Sequence, residues 1–274
     1  MFGFRQRPLH GRLRRLRFTL QGWLTNRPPR TQRVYLLEIH GQRYKRVVMP
    51  DSHAAQRAAR VLERFAAKGV CPSLVLEREN ELWVEFVEGR PLSELEPLGD
   101  DLLAGIADFF AVLYAHDARL VSTELTPFPH ALETDLRFLR DVGVINEHAC
   151  ERLGRAAQRA APKQVWVGYD TLDAILKNFV RRADGPVVHV DVESIWDEQM
   201  LGFGVAKAAV RWLGPRRERF FELLEERGVP GFRAYFDFVE MCFVAFWLKS
   251  SFLEGKRSFV DPRLLARFVE AEEA

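Results

Sequence analysis

The hydrophobic pattern changes character near residue 88. Before it, short β-branched and alternating runs dominate. Arg33–Ile39 and Arg43–Met49 flank His40-Gly41-Gln42 and predict an antiparallel hairpin. Pro50-Asp51-Ser52 supplies a helix start, and an Ala-rich helix of about 17 residues follows, ending at Gly69. Leu74–Leu76 and Leu82–Val87 predict two more strands, joined around Glu79-Asn80. After Glu88-Gly89-Arg90-Pro91 the apolar spacing becomes helical over Asp101–Ala115, Leu132–Val142 and Glu147–Ala160. It returns over Val205–Leu213, Arg217–Arg227, Phe232–Phe252 and Pro262–Glu270. One β segment interrupts the helices, Phe179–Arg181 with Val187–Val190, around Ala183-Asp184-Gly185-Pro186. This order predicts an α+β protein: a basic segment (1–32), a small β-rich lobe (33–88) and a larger, mainly helical lobe (89–274).

The first 33 residues have their own chemistry. Leu9, Leu13, Leu16, Leu20 and Leu24 recur at helical spacing with Arg12, Arg14, Arg15 and Arg17 between them. An amphipathic helix with a basic face is one reading; a helix ending near Arg17 and a strand over Phe18–Leu24 is the other. Residues 1–33 hold nine Arg and no acid, whereas the rest of the chain carries a net −7. A basic head on an acidic body is suited to phosphates, to an anionic membrane surface, or to the body's own acids. With only Phe18 and Trp23 for base stacking, nucleic acid is the poorest of the candidate partners.

Composition excludes several classes. The 274 residues, 47% hydrophobic, suffice for a large core, and no run reaches the roughly 18 apolar residues of a membrane-spanning helix. Phe236–Phe252 comes nearest and is broken by Asp237, Glu240 and Lys249. The expectation is a soluble cytoplasmic protein, with peripheral contact to the inner face of a membrane as an option. Cys71, Cys150 and Cys242 are widely spaced and form no CxxC, so they are expected to be buried thiols in a reducing compartment. No HExxH, GxSxG or GxxxxGK[ST] occurs, which removes the usual support for zinc peptidase, hydrolase-elbow and P-loop chemistry.

The chemistry-bearing residues cluster late. Asp173-Ala-Ile-Leu-Lys-Asn178 has the form D-x-x-x-x-N, and Asp191 follows thirteen residues after Asn178, in Val187-Val-His-Val-Asp-Val-Glu193. A hairpin between Asn178 and Asp191 brings oxygen ligands to one of its ends. Phosphoryl transfer needs such a group: a carboxylate for a hydroxyl, and hard oxygens for Mg²⁺ on phosphates.

On these residues the chain resembles the protein-kinase-like superfamily, closest to its small-molecule branch of aminoglycoside and choline phosphotransferases and lipopolysaccharide sugar kinases. That branch's H-G-D-x-x-x-x-N loop is similar to Thr171–Asn178, and its metal segment to Asp191-Val192-Glu193. The resemblance implies ATP and Mg²⁺ as cofactors and a small-molecule, sugar or glycolipid hydroxyl as acceptor. It implies that Asp173 orients or deprotonates that hydroxyl and that Asn178 and Asp191 hold metal. Lys45 matches the phosphate-binding lysine of the third strand. Glu63, the lone acid of the small-lobe helix, is its implied partner; the alternative is a solvated Glu63 beside Arg60 and Arg64. The backbone of Glu85–Val87 matches the hinge that meets an adenine edge, with Trp83 and Phe86 as pocket walls.

The chain also departs from the pattern. Residues 17–41 contain no G-x-G-x-x-G, which leaves the Arg- and Pro-rich Thr25–Gln32, with Arg27 or Arg30, to cover the phosphates. Thr171 stands where the branch has His or Tyr, and a shifted register would make Asp170 the catalytic acid. Those departures keep a second reading in play, a kinase-like binding or scaffold protein without transfer activity. His189 reads as a structural histidine and Glu193 as a further metal-shell group. Lys177 and Lys207 either face an anionic substrate or are solvated.

Overall fold

The structure, a computed structural model, describes residues 5–8, 33–94, 97–183 and 185–270. They divide into two compact units, one of residues up to 112 together with 176–195, the other of 113–175 with 196–274.

The first unit is built on an antiparallel five-stranded sheet of order β1-β2-β3-β5-β4. Its strands are β1 (Arg5–Pro8), β2 (Arg33–Ile39), β3 (Gln42–Val48), β4 (Leu74–Arg78) and β5 (Glu81–Glu85). β2 and β3 form the expected hairpin, with Ile39 opposite Gln42. Its turn places both His40 and Gly41 at positive φ, the geometry that suits a two-residue hairpin. β1 was not expected as a strand; its pairing with β2 makes β3 the third strand of the chain. The proposed head helix, the alternative strand Phe18–Leu24 and the Thr25–Gln32 loop lie outside the described residues.

Helix α1 (Ser52–Phe65) starts where Asp51 accepts a hydrogen bond from the Ala54 N–H at 2.8 Å. Its small buried residues, Ala55, Ala58 and Ala59, let it lie close against β4, β5 and the turn Val192–Ser194. The same unit contains a three-stranded sheet of order β10-β9-β6, from β6 (Gly89–Pro91), β9 (Phe179–Arg182) and β10 (Val187–His189). Helix α2 (Asp100–Tyr114) covers it, and Phe109 stacks on the fully buried His189 ring at 4.7 Å and meets Phe179 edge-on at 5.3 Å. His189 therefore sits as a core ring, as expected.

The second unit holds a sheet of order β11-β8-β7, from β7 (Arg119–Ser122), β8 (Gln164–Thr171) and β11 (Ile195–Met200). None of the three was expected from the sequence. Its helices are α3 (Phe128–Asp141), α4 (Glu147–Ala160), α5 (Phe203–Ala208), α6 (Arg217–Glu226), α7 (Phe236–Leu253) and α8 (Arg263–Glu270). α5 continues as a π turn, Ala209–Leu213. Two of the three charges that interrupt α7, Glu240 and Lys249, are paired, and the third, Asp237, is exposed. Glu240, 1% exposed, meets Arg217 at 3.0 Å and Arg267 at 2.6 Å, and Lys249 meets the buried Asp135 at 2.6 Å. Pairing is what makes burial of such charges tolerable. Among the described residues no helix is long and apolar enough to cross a membrane.

The cysteines are all free. Cys71 and Cys242 are buried, as expected, and burial pushes the Cys71 thiol up to about 12 and that of Cys242 further still. Cys150 is only half-buried, which corrects the expectation for that thiol.

Candidate active site

The hairpin β9–β10 does what the spacing predicted. Phe179 pairs with His189, and one step beyond, the Val190 N–H donates to the Asn178 carbonyl at 2.8 Å. This register sets Asn178 beside Asp191, and the Asn178 Nδ2 donates to Asp191 Oδ2 at 3.3 Å. The tight turn Val192–Ser194, closed by the Ser194 hydroxyl on the Asp191 carbonyl at 2.7 Å, carries Glu193. Burial raises the Glu193 carboxyl, but the Lys45 ammonium and a hydrogen bond with Asp191 outweigh it and hold the group below the usual carboxylate range. The Lys45 Nζ itself donates to the Val190 carbonyl at 3.0 Å.

Lys45, Asn178, Asp191 and Glu193 thus gather within the first unit. Among the described residues there is no cluster of three or more His, Cys, Asp or Glu that could hold a metal ion. Two carboxylates and an amide oxygen are a small, hard donor set. They suit Mg²⁺, which commonly takes one or two carboxylates and fills its other positions with water and phosphate oxygens.

The expected pairing of Lys45 with Glu63 is not formed. Glu63 is exposed and lines a groove with Leu62, Ser73, Leu74 and Glu77. The α1 face toward the core is its alanine, valine and leucine stripe, so the carboxylate on the next face turns to solvent. Glu193 supplies the negative charge beside Lys45 instead.

The hinge segment is equally specific. The Glu85 N–H donates to the Ser73 carbonyl at 2.9 Å and the Phe86 N–H to the Arg43 carbonyl at 3.4 Å. The Arg182 guanidinium, 2.6 Å from the Glu85 carboxylate, holds that carboxyl below its ordinary range against the opposing effect of burial. Val87 is buried against Val180 and Val188. Among the described residues no hydrogen-bond partner is found for its backbone N–H or C=O. Trp83 and Phe86 are half-buried, and Arg43 lies over the Phe86 ring at 5.0 Å.

In the second unit, Asp170 and Asp173 have opposite surroundings although three residues apart. Asp170 lies in the buried half of β8, next to its last residue Thr171, and is 0% exposed. Its oxygens accept from the Tyr114 hydroxyl (2.9 Å) and from the N–H groups of Thr171 (2.7 Å), Gly202 (3.0 Å) and Gly204 (3.2 Å). Asp173 lies on the loop that follows, its side chain about one third exposed and hydrogen-bonded to Lys207 Nζ. The loop is well held. The Asp173 N–H donates to Thr171 Oγ1 (3.3 Å), the Ile175 N–H to the Asp173 carbonyl (2.8 Å), and Trp212 Nε1, from the π turn, to the Ala174 carbonyl (2.8 Å). Thr171, the apparent departure, is thus a buried hydroxyl that orients the loop backbone. Sequence reasoning left Lys207 undecided and missed Tyr114, Trp212 and the Lys45–Glu193 proximity. The Val165-Trp166-Val167 run was the one local signal that the loop hangs from a strand.

Asp170 has a pH signature. Burial pushes its carboxyl up to about 7, against the hydrogen bonds from Tyr114, Gly204, Thr171 and Gly202. A carboxyl raised above its unfolded value binds a proton in the folded chain that the unfolded chain has lost, so stability falls as pH rises from about 4 to about 7 and is flat beyond. The contribution is at most roughly 4 kcal/mol. Urea unfolding of the wild type and Asp170→Asn from pH 4 to 8 should show the wild type losing ground to the variant across that window; a constant difference would contradict the assignment.

No family model matches the chain, and no curated protein matches it in sequence. Solved structures do match it. One is the choline kinase of Streptococcus pneumoniae, with TM-score 0.61, 14% identity, and coverage of 86% of this chain and 88% of that one. A second is the macrolide 2′-phosphotransferase of Brachybacterium faecium, with TM-score 0.62, 13% identity, and coverage of 98% and 91%. A third is a thermostable aminoglycoside phosphotransferase variant in ternary complex with AMP-PNP and hygromycin B, with TM-score 0.61, 15% identity, and coverage of 89% and 92%. At these identities the likeness establishes the fold. It is the kinase-like α+β fold of the small-molecule phosphotransferases, as the motifs implied.

Proposed function

We propose that the chain is a phosphotransferase that moves the γ-phosphoryl group of Mg²⁺-ATP to a hydroxyl of a small molecule, sugar or glycolipid. The observation that carries this reading is the gathering of Lys45, Asn178, Asp191 and Glu193 at one end of a single hairpin. In this reading Asn178 and Asp191, with Glu193, hold Mg²⁺, which when bound neutralises charge on the phosphates. Lys45 contacts a phosphate oxygen, and the backbone at Glu85–Val87, above all that of Val87, meets the adenine edge. Asp173 accepts a hydrogen bond from the acceptor hydroxyl and aims its oxygen at phosphorus. It receives the proton as the new O–P bond forms and the bond to the ADP oxygen breaks.

The missing G-x-G-x-x-G favours a second reading, a kinase-like scaffold that binds nucleotide without transfer. Thermal unfolding addresses both. Mg²⁺-ATP at about 100 times its dissociation constant should stabilise the chain by roughly 2.7 kcal/mol, a shift of several degrees in Tm. Asp191→Asn should abolish the metal-dependent part. Absence of any shift with millimolar Mg²⁺-ATP would end the phosphotransferase reading. A shift without turnover against sugars, amino alcohols and lipopolysaccharide fragments would favour the scaffold. Binding of the Arg-rich chain to anionic vesicles at low salt separates a glycolipid acceptor from a soluble one.

A further inference from the structure

Lys207 does not belong to any motif that the sequence shares with kinases, yet the structure ties it to the loop that carries Asp173. Its Nζ donates both to the Asp173 carboxylate Oδ1 and, at 3.2 Å, to the Leu172 carbonyl. The side chain is 16% exposed, less than half the exposure of the carboxylate it holds. The helix that presents it is anchored. The Asp170 carboxylate accepts the N–H groups of Gly202 and Gly204 at the start of α5, and Lys207 follows Gly204 by three residues. One turn further, Trp212 holds the Ala174 carbonyl from the π turn. Asp170, through the Thr171 N–H, and Lys207 and Trp212, through Leu172, Asp173 and Ala174, thereby hold the same short loop, residues 172–175, and the strand residue that leads into it.

We propose that Lys207 is a positioning residue for phosphoryl transfer, fixing the Asp173 carboxylate through a clamp whose fixed end is the buried Asp170; this rests on the phosphotransferase reading above. A free aspartate on an exposed loop samples several rotamers, and only one of them aims an oxygen at an acceptor hydroxyl. A two-point contact, to the carboxylate and to the preceding carbonyl, selects the rotamer and the loop conformation together. Misplacement of a catalytic group by about 1 Å costs on the order of 10²-fold in rate.

The test is a double-mutant cycle on the full chain, read by single-turnover hydrolysis of Mg²⁺-ATP with water as acceptor and by Mg²⁺-ATP binding and melting of every variant. Lys207→Met should slow turnover by about 10- to 100-fold, with nucleotide affinity and melting temperature close to wild type. Lys207→Arg, which keeps a cation of similar reach, should recover most of the rate. In an Asp173→Asn background, Lys207→Met should cost almost nothing more, because a lysine that acts through Asp173 has nothing left to position. Equal turnover in wild type and Lys207→Met overturns the proposal, as does a full additional loss in the double variant, which would place Lys207 on the phosphates directly. A wild type that neither binds nor turns over Mg²⁺-ATP removes the phosphotransferase reading itself and this proposal with it.

Discussion

Asp173→Asn should lower phosphoryl turnover by about 10²- to 10⁴-fold while leaving Mg²⁺-ATP affinity nearly unchanged. The reason is the division of labour between residues. Lys45, Asn178 and Asp191 are the groups proposed to hold nucleotide and metal, and Asp173 is proposed to act only on the acceptor. Asparagine keeps the size and one oxygen of aspartate but cannot take a proton, so the loss falls on kcat. Asp170→Asn is the informative control. Its carboxylate is fully buried and surrounded by four donors, so the amide would turn a donor against one of them. That variant should lose melting temperature first and turnover less. Steady-state kinetics of both, at a temperature where both are folded, decide the register. A dead Asp170→Asn beside an active Asp173→Asn would show that Asp170 is the catalytic acid.

Gly202→Ala should destabilise the chain by about 3 kcal/mol, lowering Tm by roughly 6 to 12 °C. Gly202 sits at φ 103°, where a β-carbon is strained whatever the space around it. The space is also absent. An added Cβ would lie 2.7 Å from Cδ2 of Phe232 and 3.3 Å from Cγ1 of Val239. Phe232 cannot swing aside, since Tyr114, Phe221 and Phe236 pack around it at ring distances of 5.5, 6.2 and 6.0 Å. Any backbone shift that relieves the clash also pulls the Gly202 N–H from Asp170 and Tyr114. Calorimetry of the variant against wild type measures the loss; a Tm within about 2 °C of wild type would show that this turn yields easily.

Much of the fold was legible because its signals are local. The helix at Glu147–Ala160 was expected with the bounds observed, since Asn146 caps it by accepting the Ala149 N–H and its apolar positions recur at helical spacing. The β2–β3 and β9–β10 hairpins needed only a turn between two β-rich runs. Five strands were missed: β1, β6, β7, β8 and β11. Gly89-Arg90-Pro91 has no strand pattern at all, and its pairing with β9 comes from a segment some ninety residues on. Arg5–Pro8 is four residues of a basic head that becomes a strand only because β2 offers it an edge.

For the candidate site, the sequence by itself determined which residues to consider. The D-x-x-x-x-N spacing and the acid thirteen residues beyond point to Asp173, with Asp170 as the alternative, and to Asn178 and Asp191; the family resemblance adds Lys45. The hairpin that joins Asn178 to Asp191 follows from short-range pairing alone. Tertiary structure decided the partnerships. Lys45 has Glu193 beside it, and Glu63 faces solvent, because the packing of α1 on the Val192–Ser194 turn sets which carboxylate comes near. Asp170 became a buried anchor and Asp173 an accessible carboxylate, although the two are nearly adjacent in the chain. Burial is set by what packs against a residue, here Tyr114 and the Gly202–Gly204 turn, which lie more than thirty residues away on either side of Asp170. Charge and spacing are written along the chain; desolvation and pairing arise only where distant segments meet.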